Sequence, residues 1–444
     1  MEQAIDHLAG DYGRRLLQRF GIDRDVAAPI RHPAVAWAAS GAMALTGAAA
    51  GPPEICPAPL ASCADGALAA LAAAAGADLP FTGAQLLGER AAIAGLRRAG
   101  GISAGGGCRL LRSADGWIAV NLARPADWEL LPAWFQHDVA PGWPSVGAAV
   151  AEVPGAELVE QGRLLGLAVA PLAQPAGKGA AWCRIAAEGP VRRGPPAAPP
   201  LVLDLTALWA GPLAGHLLHG LGARVVKIES LGRPDGARQG PAGFYDLLNA
   251  GKRSVALDFT RSSDIARLQA LIDAADIVLE SARPRALRQL GIEAEALVRA
   301  RPGLTWVSLT GYGRAEPAAN WIAYGDDAGV AAGLSALLPR ADGQPIFCAD
   351  AIADPLTGLH AALAAWCSHF GGTSRLIAFA LTDVVAHCIE AAPCDPAQTR
   401  RDWAKHLARA GVTAAAPMAR QAAGPARSLG ADTAGILAEL APRC

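Results

Sequence analysis

The pattern of apolar and polar positions changes character about midway along the chain. Downstream of residue 200, short apolar runs alternate with amphipathic stretches. Residues 201–205 read LVLDL, an apolar run bounded by proline, which predicts a buried strand. Residues 211–222 (GPLAGHLLHGLG) predict a helix, 225–229 (VVKIE) a second strand, and 254–258 (SVALD) a third. In residues 263–274, Ile265, Leu268, Leu271 and Ile272 share one face at helical spacing. DIVLE (276–280) predicts another strand, a helix starts at Pro284, and LTWVSL (304–309) predicts one more strand. Strands alternating with helices mean βαβ units, and so an α/β fold with an open parallel, Rossmann-like sheet.

Upstream the pattern is mixed and alanine-rich. Residues 67–77 predict a helix, 117–121 (WIAVN) a strand and 128–135 a helix. Gly105, Gly106 and Gly107 form a permissive loop before Cys108. Between the halves lies GPVRRGPPAAPP (189–200), whose stacked Pro and Gly predict a linker. The polar, Ala- and Arg-rich end of the chain predicts a helix with a loose end.

The 444 residues are enough for two or three domains. With 52% hydrophobic and 18% charged residues, disorder is excluded. A net charge of −1 provides no field for nucleic acid, so no nucleic-acid partner is expected. The mean hydropathy of +0.24 raises the membrane question. The longest uncharged run, residues 33–53, is carried by Ala and broken by Pro, Gly, Ser and Thr, a poor span. The start, MEQAID, lacks the features of a signal peptide, so a cytoplasmic protein without a membrane partner is expected. Nine scattered cysteines include no CxxC pair, which predicts reduced, packed thiols and no metal site.

The turn after the first strand, AGPLAG (210–215), lacks GxGxxG, and its proline removes an N–H that a pyrophosphate would use. It reads as a plain crossover. There is no GxSxG, P-loop or HExxH, and His216 and His219 lack a third ligand. Asp326 and Asp327 follow Tyr324-Gly325, and Asp354 stands in ADPLTGLH ahead of an apolar helix. There Asp354 is either a helix N-cap or a nucleophilic carboxylate near backbone N–H groups.

Several blocks, in order from Leu201 to about residue 386, then carry a family resemblance. They are LVLDLTALWAGPLAGHLLHGLGARVVKIES, LNAGKRSVALDF, ADIVLESARPRALRQLG, LTWVSLTGYG, and ADPLTGLHAAL followed by LIAFALTDVVA. Together they resemble the family III CoA-transferases (the CaiB/BaiF superfamily), which include formyl-CoA and carnitine CoA-transferases and α-methylacyl-CoA racemase. The resemblance implies a large open α/β domain with a smaller α+β domain, in an interlocked homodimer. It implies Asp354 as the nucleophile, acyl-CoA and a carboxylic acid as partners, and CoA as substrate with no permanently bound cofactor. Tyr324 falls where the racemases carry a proton-shuttling His. A phenol with pKa near ~10 is a poor base at neutral pH, which favours CoA transfer over racemisation. Gly325 stands where relatives often have Asp or Glu, and the neighbouring Asp326 receives no role. By resemblance, Leu208, Trp209, Lys252, Arg253, Leu257, Ser281, Ala282 and Arg283 line the CoA site. Ser230 and Gln289 replace basic residues usual there, with Arg288 beside the second.

The first half resembles a different part of the same family. Residues 36–47 look like the stretch upstream of the nucleophile, and 57–68 like the nucleophile block, with Ser62 in place of Asp. Residues 108–134 are similar to the small domain, and 158–172 to the returning C-terminal segment. The implied organisation is a rearranged, partly duplicated module. Residues 1–188 form a small-domain and C-terminal-type half without a nucleophile, and 189–200 a linker. Residues 201–390 form the CoA-binding half with the nucleophile, and 391–444 a helical tail. Gly105, Gly106 and Gly107 match the family's lid over the nucleophile, which keeps water from the anhydride. The alternatives are an acyl-CoA racemase or isomerase of the same superfamily, and a degenerate, non-catalytic CoA-binding subunit.

Overall fold

The computed structural model describes residues 5–176, 179–195, 199–338, 340, 342–391 and 395–440. Its first half contributes a three-stranded antiparallel sheet, β1 (Cys108–Arg112), β2 (Trp117–Asn121) and β3 (Ala168–Pro171). Successive residues of β2 serve different cores, as the pleat requires. Ile118 and Val120 pack on Trp134, Leu158 and Val159, while Ala119 faces Val330 and Phe347 of the second half. The helix expected over 128–135 is two short ones, Pro125–Glu129 and Leu131–Phe135, each with proline in its first turn.

The larger sheet has seven strands. They are β4 (Arg184–Val191), β5 (Leu201–Leu205), β6 (Arg224–Ser230), β7 (Arg253–Leu257), β8 (Ile277–Glu280), β9 (Thr305–Thr310) and β10 (Thr373–Ala380). The order is β4-β10-β9-β8-β5-β6-β7, parallel except for β4, which lies antiparallel on the β10 edge. The five strands expected in the second half lie within about two residues of their predicted bounds. Gly189, Pro190 and Val191, expected as linker, instead complete β4. An edge strand tolerates Pro190, which has no N–H to give, and its carbonyl accepts from the Ser374 hydroxyl at 2.7 Å.

Both faces of this sheet are covered, so its central strands are continuously apolar. Val202, Ile277, Val307 and Ile377 point into one core; Leu203, Val278, Trp306 and Leu376 point into the other. The first of these cores is shared by the two halves of the chain. In it Tyr12, Leu60 and Leu71 pack with Leu356, Leu363 and Val384. The Ala353–Gly371 helix runs through it, buried nearly all round between the Leu60–Ala75 and Ala210–Gly220 helices. Gly358 permits that approach, since a Cβ there would stand 2.6 Å from the Ala210 carbonyl oxygen.

The end of the chain is not one helical tail. Helices Pro396–Ala410 and Thr433–Leu440 flank an extended strap. Arg420 of the strap holds Glu89 through two oxygens, at 2.6 and 2.9 Å, and Asp432 receives the Ser254 N–H at 2.9 Å. No described helix is long and apolar enough to cross a membrane.

After β5 the chain builds β6 and β7 to one side, then returns to place β8, β9 and β10 on the other. Such a reversal opens a crevice at the carboxyl ends of the strands, where open α/β sheets bind ligands. The turn Thr206–Trp209 and the segment 281–283 form its two lips. They touch where the Ala207 N–H donates to the Ser281 hydroxyl at 3.2 Å.

Candidate active site

Asp354 stands beside this crevice as the second residue of the Ala353–Gly371 helix, half-buried. It is not the N-cap, a position held by Ile352. Its own N–H donates to the Ala351 carbonyl at 2.9 Å, and the N–H of Ala210, the first residue of the neighbouring helix, favours the charged form of its carboxyl. Desolvation pushes the acid up to about 7. Arg90 opposes that rise, Asp326 adds to it, the Ala210 N–H opposes it and Asp350 adds to it.

Three further aspartates surround it. Asp326, half-buried, accepts from the Ala351 N–H at 2.8 Å. It is pushed up to about 6, by desolvation first and then by Asp350. Asp327 is fully buried and reaches about 7 through desolvation. One of its oxygens accepts from Asn121 Nδ2 and from the Tyr324 N–H, both at 3.0 Å, and the other has no partner among the described residues. Asp350 receives Arg90 Nε at 2.9 Å and Nη2 at 2.5 Å. Three of these carboxyl groups, Asp326, Asp350 and Asp354, thus share the Arg90 guanidinium, and desolvation is the first reason that Asp326, Asp327 and Asp354 hold protons above the usual range.

The backbone here is held in costly conformations. Ala349 and Ala351, either side of Asp350, have φ of 58° and 41°, and Leu208, on the opposing lip, has 70°. Left-handed residues other than glycine cost about 1–3 kcal/mol each and persist where surrounding contacts over-determine them. Ala349 donates to the Thr46 hydroxyl at 2.9 Å, and Leu208 to Asp235 Oδ1 at 2.9 Å.

The structure distributes the other expected residues unevenly. Tyr324 caps the Gly325–Ala331 helix, and desolvation raises its phenol further from the range of a useful base. Leu208 is exposed on the lip, and Trp209 is buried beneath it against Phe244, with ring centroids 5.3 Å apart. Ser281 is exposed on the opposite lip, and Ala282 and Arg283 are half-buried there. Lys252 is corrected: its ammonium is buried, donating to Asp204 Oδ2 at 2.7 Å and to the Pro212 carbonyl at 2.8 Å. With Lys227, which reaches Asp235 at 2.9 Å and the Thr206 carbonyl at 2.9 Å, it underpins the turn after β5. Arg253 is half-buried and pairs with Glu439 of the C-terminal helix at 2.5 Å. Leu257 points into the sheet core, and its carbonyl accepts the Leu231 N–H at 2.9 Å. Ser62 is buried in the Leu60–Ala75 helix.

Gly105, Gly106 and Gly107 form a loop that is exposed at Gly105 and Gly106. Gly106 has φ of 78°, and a Cβ on Gly105 would stand 3.3 Å from Arg90 Nη2.

Five groups were invisible in the sequence pattern. Arg90 and Asp350 meet across 260 positions, a separation that no local spacing announces. Arg124, from the first half, and Arg233, after β6, gather with Arg285 around Arg283, whose guanidinium is destabilised by desolvation and by these like charges. Arg233, Arg283 and Arg285 form no ion pair among the described residues, so this rim of the crevice is an uncompensated cationic patch. Among the described residues no cluster of His, Cys, Asp or Glu is arranged to hold a metal ion.

Residues 200–425, just over half the chain, match the model of CoA-transferase family III, and the chain belongs to that family. It is similar to the succinate–glutarate CoA-transferase of Agrobacterium fabrum, 32% identical over 181 residues, covering 38% of this chain and 45% of that protein. It is also similar to a probable fatty acyl-CoA transferase of Mycobacterium tuberculosis, 36% identical over 153 residues, covering 32% of this chain and 39% of the relative. The chain therefore spans less than half the length of these curated relatives. Among solved structures, a hypothetical protein of M. tuberculosis matches at 30% identity and a TM-score of 0.40, over 49% of this chain and 61% of that one. A CaiB/BaiF family protein of Brucella suis matches at 24% identity and a TM-score of 0.39, over 52% and 61%.

Proposed function

We propose that the chain is a CoA-transferase in which Asp354 is the nucleophile, moving CoA from an acyl-CoA donor to a carboxylic acid acceptor. The observation that carries this reading is the Asp354 carboxylate itself, partly desolvated at the crevice and met by the N–H that opens the Ala210–Gly220 helix. Desolvation weakens the water shell that would otherwise blunt a carboxylate, and N–H groups at a helix start favour developing negative charge.

In the first step an Asp354 oxygen attacks the thioester carbonyl, the C–S bond breaks, and a mixed anhydride forms with release of CoA thiolate. The thiolate then attacks the Asp354 carbonyl of the anhydride, releasing the donor acid as carboxylate and leaving an aspartyl–CoA thioester. The acceptor carboxylate attacks that thioester to give a second anhydride and thiolate. Attack of the thiolate on the acceptor's acyl carbon gives the new acyl-CoA and restores Asp354. Each step exchanges one acyl bond for another, dividing a difficult exchange into easier ones.

Arg283, Arg233, Arg285 and Arg124 suit the phosphates of CoA, since guanidinium groups match phosphate oxygens in pairs. In this reading residues 1–188 act as the small-domain half, the loop 105–107 shields the anhydride, and residues 201–390 hold CoA. A cytoplasmic location and a homodimer belong to the same reading. The raised phenol of Tyr324 weighs against racemisation. The test is an acceptor screen with purified protein and several acyl-CoA donors, following CoA by mass spectrometry. Movement of CoA to an added acid supports the proposal. Exchange of an α-proton for deuterium without any acceptor would favour the racemase reading instead, and CoA binding without turnover would leave only a binding subunit.

A further inference from the structure

Arg90 lies outside the segment matched by the family model, on the short Glu89–Ala94 helix of the first half. Its guanidinium touches three separate parts of the site. Nε and Nη2 form a fork on the two oxygens of Asp350, at 2.9 and 2.5 Å. The guanidinium carbon stands 5.5 Å from the ring centre of Trp209, on the far lip. Behind it lies Gly105, where any side chain would press on Nη2 at 3.3 Å. The contact with Asp350 matters most. Asp350 is the centre of the Ala349–Ala351 turn, whose two alanines are left-handed, and this turn launches the helix bearing Asp354. A second first-half residue, Thr46, takes the Ala349 N–H at 2.9 Å, and Gly100 takes the Phe347 N–H at 2.9 Å. The turn is thus clamped from the half of the chain that carries no nucleophile of its own.

We infer that Arg90 is a positioning residue: by fixing Asp350 in the strained turn it holds Asp354 in its attacking position, and so makes the first half a working part of the site. The inference rests on the reading of Asp354 as nucleophile. The fork is what a planar guanidinium provides and an ammonium does not. The charged groups acting on Asp354 are Arg90, Asp326 and Asp350, with the Ala210 N–H completing its surroundings. Without Arg90, the carboxyl groups lose their one nearby cation. Removal of an opposite charge at such range moves the pH at which a carboxyl ionises upward by about one unit or more.

The test uses the full chain and the variants Arg90→Met, Arg90→Lys and Asp350→Asn. Asp354 is coupled to glycine ethyl ester by a water-soluble carbodiimide, which consumes the protonated acid, at a series of pH values. Modification of the peptide is read by mass spectrometry. The expected midpoint lies near 7 for the unmodified chain, about one unit higher in Arg90→Met, near 7 in Arg90→Lys, and lower in Asp350→Asn. In parallel, Arg90→Lys lowers the transfer kcat by about tenfold or more with little change in KM for acyl-CoA, because the fork is lost while the charge stays. A folded Arg90→Met protein with an unmoved midpoint, or Arg90→Lys with the unmodified kcat, overturns the inference. If Arg90→Met does not fold, an unmoved midpoint in Asp350→Asn does so. Midpoints that shift as expected in a protein that transfers no CoA support the role of Arg90 and overturn the transferase reading alone.

Discussion

Gly325→Ala is a one-methyl perturbation aimed at Asp354, the proposed nucleophile. A Cβ built on Gly325 would stand 2.2 Å from Asp354 Oδ2 and 2.3 Å from the Ala351 carbonyl oxygen. An ordinary carbon–oxygen contact is about 3.4 Å or more, so each approach is short by about 1 Å. The carboxylate ends a side chain and can turn, but the Ala351 oxygen belongs to the strained turn and cannot yield without moving the start of the Ala353–Gly371 helix. Overpacking of this kind costs about 1–3 kcal/mol of stability. Displacing the nucleophile by about 1 Å costs on the order of a hundredfold in turnover. The assay pairs urea denaturation with initial rates of CoA transfer at saturating acyl-CoA. The expected result is a modest loss of stability with a disproportionate loss of kcat. Unmodified rates in a protein of unmodified stability would refute the packing argument.

Other consequences concern charge. Because desolvation holds Asp354 at about 7, its reactive form is about 10% populated one pH unit below and about 90% one unit above, so kcat/KM rises nearly tenfold from about pH 6 to 8. A flat or falling profile contradicts the assignment. The folded chain binds this proton more tightly than the unfolded chain does, so the group's stabilising contribution falls as pH rises from about 4 through 7. Asp354→Asn therefore gains stability relative to the unmodified chain at alkaline pH, measured as Tm. Replacing Arg283 and Arg233 together by Ala raises KM for acyl-CoA about a hundredfold or more with kcat little changed, since such contacts to phosphate are each worth about 1.5–3 kcal/mol; an unchanged KM removes the patch from the CoA site. Lys252→Met leaves Asp204 buried and unpaired and costs about 3–5 kcal/mol by denaturation, whereas a phosphate-binding lysine would raise KM at unchanged stability.

The parallel sheet was legible because its strands are buried on both faces. LVLDL and DIVLE are apolar at nearly every position, and that pattern survives without knowledge of neighbours. β4 was not, since it is an edge strand whose residues are mostly exposed and whose end carries Gly189-Pro190, the local signature of a linker. Asp354 and Tyr324 were singled out through the family resemblance of the blocks around them. Lys252 and Arg253 show the limit of a basic motif. The GKRS segment is charged in sequence, yet Asp204 buries one member and Glu439 occupies the other, through partners 48 and 186 positions away. Arg90 is the converse case, an ordinary charge in a short helix until the fold brings Asp350 to it.

The most direct measurement is the peptide mass at Asp354 after the purified chain is mixed with acyl-CoA and quenched in hydroxylamine. The account predicts a hydroxamate on Asp354, formed only with acyl-CoA present and missing in Asp354→Asn. An unmodified Asp354 during measurable CoA transfer, or the adduct on another residue, would contradict it.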